Sequence, residues 1–286
     1  MNMPIKKTLK TSLLLLVITI CFSQISSAQT HNFATFNIRY ANTNDVGNLW
    51  ADRLPHVASL IQFHKIELFG VQEALNNQLL DLTKELGYSY IGVGRDDGTE
   101  KGEYAAILYN PKKFEILDHG TFWLSPTPDK PSKGWDAALN RICTWGKFKD
   151  EEGKDFYVFN IHYDHIGQQA REESSKLVMA QVTKINKENA PALLMGDFNV
   201  TPDNGAYTTI TSNPDWQDAR LISETPSYGP AGTFTGFDWE KMPDGIIDHV
   251  FVKGDIKVIR HGILTDNYGK KYPSDHFPVL VEVAWK

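Results

Sequence analysis

The sequence is poor in cysteine, in long apolar runs and in positive charge. Its two cysteines are Cys21, in the N-terminal apolar stretch, and Cys143. No intramolecular disulfide is therefore open to the body of the chain, and the core must carry the stability. The longest apolar run, Thr11 to Phe22, is 12 residues, too short to span a bilayer as a helix, so no stable membrane span is expected. Asp and Glu outnumber Lys and Arg by 35 to 29, a formal net charge of −6, and no basic run marks a nucleic-acid groove. Coating a polyanion by bulk electrostatics is excluded, whereas chemistry on an anion with the help of cations is not. Also missing are His-Glu-x-x-His, Gly-x-Ser-x-Gly, a Walker loop and the third glycine that Gly92-Val93-Gly94 needs for a dinucleotide loop.

What is present begins with an export signal. Lys6, Lys7 and Lys10 precede the apolar run, and Ser26-Ser27-Ala28 supplies the small residues of a cleavage site, so residues 1–28 read as a secretory signal peptide. Periplasm or medium is the implied destination. Cys21 as a lipidation site is the alternative, with Ile20 larger than the small residue usual before it. Removing the signal takes three lysines and no carboxylate, moving the charge from −6 to −9 and leaving 286 less 28, or 258, residues. Pro126, Pro128 and Pro131 lie between Trp123 and Trp135, which suits a loop folded on the body better than a hinge. Residues 29–286 therefore read as one domain, expected to be a monomer. Trp135 fits either burial in this loop or stacking on a base or sugar.

Apolar periodicity places strands at 33–38 and 66–71, helices at 53–64 and 77–86, and strands at 88–93, 104–109, 114–123, 141–149 and 155–163. A helix at 168–187, a strand at 192–195, a loop-rich portion and strands at 247–252, 256–263 and 279–284 complete the chain. Phe36-Asn37-Ile38 is echoed by Phe159-Asn160-Ile161. Each precedes a helix and an apolar strand ending in an acid, Val71-Gln72-Glu73 and Met195-Gly196-Asp197 respectively. The matching order suggests two similar α/β halves packed sheet on sheet.

Three segments carry candidate chemistry. In Gly196-Asp197-Phe198-Asn199 a carboxylate and an amide leave a strand two residues apart, which suits orienting a water and donating to an anionic oxygen; the same residues also suit a turn. Ser274-Asp275-His276 pairs a hard oxygen ligand with a group that exchanges protons near neutrality. Ile247-Asp248-His249 embeds a carboxylate in an apolar run, where His276 would make a suitable partner; an alternating surface strand is the other reading. His162 and Asp164 share a face if their strand continues, and Glu73 follows a buried-looking strand.

Taken in order with Phe36-Asn37-Ile38-Arg39, Gln72-Glu73 and Asn160-Ile161-His162, these segments resemble the endonuclease/exonuclease/phosphatase superfamily. That group contains deoxyribonuclease I, exonuclease III, deadenylases, bacterial sphingomyelinases and inositol polyphosphate 5-phosphatases. The resemblance implies an α/β (α+β) four-layer sandwich, two mainly antiparallel sheets face to face with helices outside and a cleft at one rim. It further implies Mg2+, or Mn2+, held by Glu73 with Asn37 and Asp275, and a water oriented by Asp197. Asn199 and His162 would donate to phosphoryl oxygens, and His276 held by Asp248 would stabilise the transition state or relay a proton. Glu103 resembles the acid that steadies His162, and Arg141 a phosphate-binding arginine. Arg39 stands where exonuclease-III-like members carry an acid, which favours the deoxyribonuclease-I-like or deadenylase-like branch.

The expected function is a secreted Mg2+-dependent phosphoesterase cleaving a phosphodiester, with nucleic acid as the first candidate partner. Phospholipid, sugar-phosphate and phosphoinositide substrates are alternatives on the same site. A non-catalytic module that keeps the sandwich is the alternative of another class. Convergence of donors and metal on a phosphate explains how an acidic chain acts on an anion.

Overall fold

The computed structural model describes residues 29–286; the signal read at residues 1–28 lies outside them. The chain runs β1 (Thr30–Asn37), α1 (Trp50–Phe63), β2 (Leu68–Gln72), α2 (Asn76–Leu86), β3 (Ser89–Ile91) and β4 (Ile107–Tyr109). It continues with β5 (Phe114–Trp123), β6 (Ile142–Asp150), β7 (Asp155–His162), α3 (Gln168–Ile185) and β8 (Ala192–Asp197). Then come α4 (Gly205–Thr211), β9 (Trp216–Asp218), α5 (Ala219–Ile222), β10 (Asp248–Lys253), β11 (Ile256–Ile263) and β12 (Val279–Trp285).

Most of the expected elements are found with shifted ends. Helix α1 starts three residues early, at Trp50, whose indole donates to Asp81 of α2 at 2.8 Å. Gly87 ends α2 in the left-handed conformation, φ 69°. The strand expected from Tyr104 is regular only over β4. The portion read as loop-rich holds α4, β9 and α5, each too short for a period to be visible.

Two six-stranded sheets form, in the orders β11-β12-β1-β2-β4-β3 and β5-β6-β7-β8-β10-β9. In each, only the third and fourth strands are parallel, β1 with β2 and β7 with β8; all other neighbours are antiparallel. Each parallel pair is joined through a helix, as parallel strands require. Helices α1 and α2 share a core with the outer face of the first sheet, α3 and α4 with that of the second. The layers are therefore α/β/β/α, the expected sandwich.

Strand alternation divides the residues among the layers. Phe33, Leu68, Val158, Leu193 and Val252 face the core between the sheets, where the rings of Phe33, Phe114, Phe148 and Phe156 pack stacked, tilted or edge-on with contacting centroids 5.6–6.5 Å apart. Continuing each strand by twos, the inward positions turn polar: Asn37, Gln72, Asn160, His162, Asp197 and Asp248. A polar rim thus grows out of the end of the apolar core.

Asn160 bridges the sheets from the buried side of that rim. Its amide donates to the Val71 and Ala106 carbonyls at 2.9 and 2.8 Å and accepts from Gln72 at 2.6 Å. Gly70 makes the room, because a Cβ there would come within 2.4 Å of the Asn160 oxygen. The echo between Asn37 and Asn160 is thus one of letters: Asn37 pairs with Gln72, whereas Asn160 pairs with Met195.

Candidate active site

Parallel pairing brings the carboxyl ends of β1 and β2, and of β7 and β8, to one rim, and antiparallel β10 begins there. In register lie Asn37 opposite Gln72, His162 opposite Asp197, and Asp248 opposite Asp197. Ser274, just before β12, donates to the Asn37 carbonyl at 2.7 Å and so draws Asp275 and His276 to the same rim. A cleft of about 500 Å³ opens here, and Glu73, Glu103, Arg141, His162, Asp197, Asn199, Asp275 and His276 all line it. Three residues at its edge are left-handed without being glycine: Arg39 (φ 56°), Glu73 (φ 62°) and Asn199 (φ 51°). Each such residue costs on the order of 1–3 kcal/mol, a cost common where function fixes geometry.

On one side of the cleft, Asn37 Nδ2 donates to Glu73 Oε1 at 3.1 Å and to Asp197 Oδ2 at 3.0 Å, joining the two sheets. Glu73 and Asp275 offer the carboxylate oxygens that Mg2+ and Mn2+ prefer and so fit such an ion, whereas Asn37 turns its Nδ2 to Glu73 and accepts the Arg39 N–H on its Oδ1 at 3.0 Å. Arg39 faces the same carboxylates, Nη1 3.7 Å from Glu73 Oε2 and Nε 3.8 Å from Asp275 Oδ2, while Nε also donates to Asp45 at 2.9 Å. Burial, opposed by the His276 charge, pushes Asp275 above the usual carboxylate range.

Across from it, His276 Nδ1 meets Asp248 Oδ2 at 2.9 Å and its Nε2 lies 3.8 Å from Asp197 Oδ2. Burial disfavours the imidazolium, but Asp248 and Asp197 outweigh it and lift His276 to about 10. Asp197 is driven upward by burial and by the like charge of Asp248, against the pull of His276. Asp197, Asp248 and His276 also place one ligand atom each within 4.8 Å of one another. Because the imidazole already bridges the two acids, this cluster reads more naturally as a proton chain than as a metal nest. His249, next to Asp248, points the other way and contacts the Val200 carbonyl at 2.9 Å in the outer layer.

The third wall surrounds His162. Its Nε2 is 3.7 Å from Asp197 Oδ2, and its Nδ1 is 3.8 Å from Glu103 Oε2. Burial, with the nearby Arg141 and Arg95 charges, holds His162 well below its usual range and therefore neutral. Glu103 is raised by burial and restrained by Arg95, which grips it at 2.6 and 2.8 Å. Arg141 directs its donors to protein groups: Nη1 lies 3.1 Å from the His162 ring nitrogens, Nη2 contacts His165 Nδ1 at 3.0 Å, and Nε reaches Asp164 at 3.4 Å. Asn199 closes the wall. Its backbone N–H donates to Asp197 Oδ1 at 2.9 Å and its amide to the Tyr163 carbonyl at 3.0 Å, so the turn and the site are one structure.

All ten sequence candidates meet at this rim, although Asp248, behind His276, and the fully buried Asn37 do not themselves line the cleft. Asp164, read as sharing the His162 face, instead caps the following loop by accepting from the Ile166 and Gly167 N–H groups. Sequence reasoning missed Arg95, His165 and Phe234. Arg95 carries no pattern of its own, His165 lies beyond the end of its strand, and Phe234 comes from the loop-rich portion, where it packs 5.0 Å from the His276 ring.

The model of the Endonuclease/Exonuclease/phosphatase family matches residues 34–276. A mannosyl-6-phosphatase from Bacteroides thetaiotaomicron is 44% identical, with TM-score 0.87, over 89% of this chain and all of that one. An endonuclease/exonuclease/phosphatase family protein from the same bacterium is 43% identical, with TM-score 0.87, over 91% of this chain and 99% of that one. An uncharacterised protein of Acanthamoeba polyphaga mimivirus is 27% identical over 249 residues, 81% of this chain and 91% of that one. With the sandwich, the converging rim and a family match spanning nearly every described element, the chain belongs to the endonuclease/exonuclease/phosphatase family.

Proposed function

We propose that this phosphoesterase is an exported, Mg2+-dependent phosphatase of small phosphorylated sugars. The observation that carries the reading is the compact cleft, in which phosphate-directed groups gather around one point and, among the described residues, Arg39 and Arg141 are the only Lys or Arg side chains in the wall. Its two arginines, Arg39 and Arg141, are already engaged with Asp45 and with His162, His165 and Asp164. A polymeric anion would need more free positive charge. The 44% identical mannosyl-6-phosphatase supports the same substrate class. Phe234, 51% exposed beside His276, offers an aromatic face for a sugar ring.

In this reading Asp197 positions a water in line with phosphorus and takes its proton as the new P–O bond forms and the ester P–O bond breaks. His276, kept charged by Asp248, donates to a phosphoryl oxygen, and neutral His162 and the Asn199 amide donate to others. Glu103 and Arg141 orient His162. Glu73, held by the Asn37 amide, and Asp275 would hold the metal ion, which would supply Lewis-acid stabilisation of the developing negative charge.

A panel of mannose 6-phosphate, other sugar phosphates, bis-p-nitrophenyl phosphate, phospholipids and single- and double-stranded DNA, assayed with Mg2+ or EDTA, tests the proposal. Turnover is expected to be fastest on a sugar phosphate and to stop with EDTA. Preference for a diester or a nucleic acid would return the function to the phosphodiesterase reading, and absence of turnover on every class would leave the binding-module alternative. Export predicts a mature N-terminus at Gln29 when the full chain is expressed; an intact N-terminus would refute it.

A further inference from the structure

Arg53 is the largest of the fully buried side chains, 0% exposed on the inner face of α1, and among the described residues it makes no ion pair within 4.0 Å. Its guanidinium donates only to backbone carbonyls: Nη1 to Ile38 at 2.7 Å and Pro273 at 2.9 Å, Nη2 to Arg39 at 3.0 Å, and Nε to Asn48 at 2.9 Å. The rings of Trp50 and Phe237 lie 5.3 and 5.5 Å from it. Ile38 and Arg39 follow Asn37, and Pro273 precedes Ser274-Asp275-His276. Two chain segments, one 14 residues before Arg53 and the other 220 residues after it, each carrying members of the site, thus converge on one side chain.

A buried charge without a carboxylate partner is costly, and the rest of this helix face, Val57, Ala58, Leu60 and Ile61, is apolar. Packing alone would be served by another apolar residue. What an apolar residue lacks is a planar fork of five donors able to hold three separate segments together. Burial pulls Arg53 below its usual range, and the charges of Asp275, Tyr268 and Asp45 oppose that only in part.

We propose that Arg53 is a positioning residue, a buried clamp that fixes the spacing of the Asn37–Arg39 and Pro273–His276 segments and thereby the separation of the cation ligands Glu73, which Asn37 holds, and Asp275. The inference rests on assigning those two carboxylates to a metal site. Ser274, whose hydroxyl donates to the Asn37 carbonyl, is a second and weaker tie between the same segments.

The test is isothermal titration of the purified protein with Mn2+, alongside thermal melting without metal, for Arg53→Lys, Arg53→Met and Ser274→Ala. Lysine keeps the charge but has only three donors radiating from one point, so it cannot span the three segments. Arg53→Lys is expected to fold and to weaken Mn2+ binding about 10- to 100-fold, the usual effect of losing a residue that orients metal ligands. Arg53→Met should weaken it at least as much, and Ser274→Ala less. A folded Arg53→Lys that is destabilised yet binds Mn2+ as tightly as the wild type overturns the proposal and leaves Arg53 a purely structural residue. If both Arg53 variants fail to fold, unchanged Mn2+ affinity in Ser274→Ala overturns it instead. Glu73→Gln is the control for the underlying assignment, since Mn2+ binding that survives it would refute the metal site and not the clamp.

Discussion

The two halves of the sandwich repeat one backbone plan and differ in what they place at its tip. In the first, β1 and β2 end in Asn37 opposite Gln72, with Glu73 next along the chain; in the second, β7 and β8 end in His162 opposite Asp197. In the proposed mechanism the first tip, Glu73 beside Arg39, serves the cation, whereas the second, His162 and Asp197, serves the water and the phosphoryl oxygens. Their environments differ accordingly. Glu73 remains partly accessible beside Arg39, whereas Asp197 is buried against Asp248 and His276 and is pushed upward. A repeated fold thus supplied the convergence, and single side chains at equivalent strand ends divided the labour.

The comparison breaks most severely at Asp197. Asp197→Asn is expected to lower kcat by roughly 10²- to 10⁴-fold, the worth of a positioned general base. Because native Asp197 binds its proton more tightly than the unfolded chain does, its contribution to stability is present below the ordinary carboxylate range and lost as pH rises through its native value. The variant should therefore melt no lower than wild type at pH 8 without metal, and a clearly lower melting temperature there would contradict the burial argument. On the other tip, Glu73→Gln should leave kcat at saturating metal less affected while weakening Mn2+ by at least about tenfold, measured by titration.

A subtler contrast lies in pH. The acid limb of kcat/KM should lie above the usual carboxylate range because ionised Asp197 is required. Asp248→Asn removes the like charge and should move that limb to lower pH, while lowering His276. An unmoved limb would detach it from Asp197. The smallest catalytic effect is expected at Asn160→Ala, which strands its buried partners Val71, Gln72 and Ala106 on the opposite sheet; it should cost about 1–3 kcal/mol in a denaturant titration while affecting the rate far less than Asp197→Asn.

Much of this was readable along the chain. Alternation located the long strands, and Glu73, Asp197, Asp248 and Asp275 stood out as acids within or at the ends of apolar runs. The resemblance of the ordered segments then supplied roles that no single segment carries. Asn160 shows the limit of letters: it sits in the echo of Asn37 yet faces Gly70 and Gln72 inside the sandwich, because it lies two residues before the end of its strand, one inward position deeper than Asn37, whose structural counterpart is His162. Arg53 shows another, since in sequence it begins an amphipathic helix and nothing nearby names its acceptors, one of which is 220 residues away.

By itself, then, the sequence determined where the long strands and helices lie and which acids close apolar runs, because hydrophobic periodicity and residue chemistry are local properties; the sandwich and the candidate roles came with the family resemblance. Tertiary structure alone decided that Asp248 holds His276, that Arg95 grips Glu103, that Arg141 turns its donors to histidines, and that Arg53 ties two site loops together. Those are decisions about distance and burial. They depend on which strand ends meet at one rim, and strand pairing is the long-range part of the fold that no local pattern encodes.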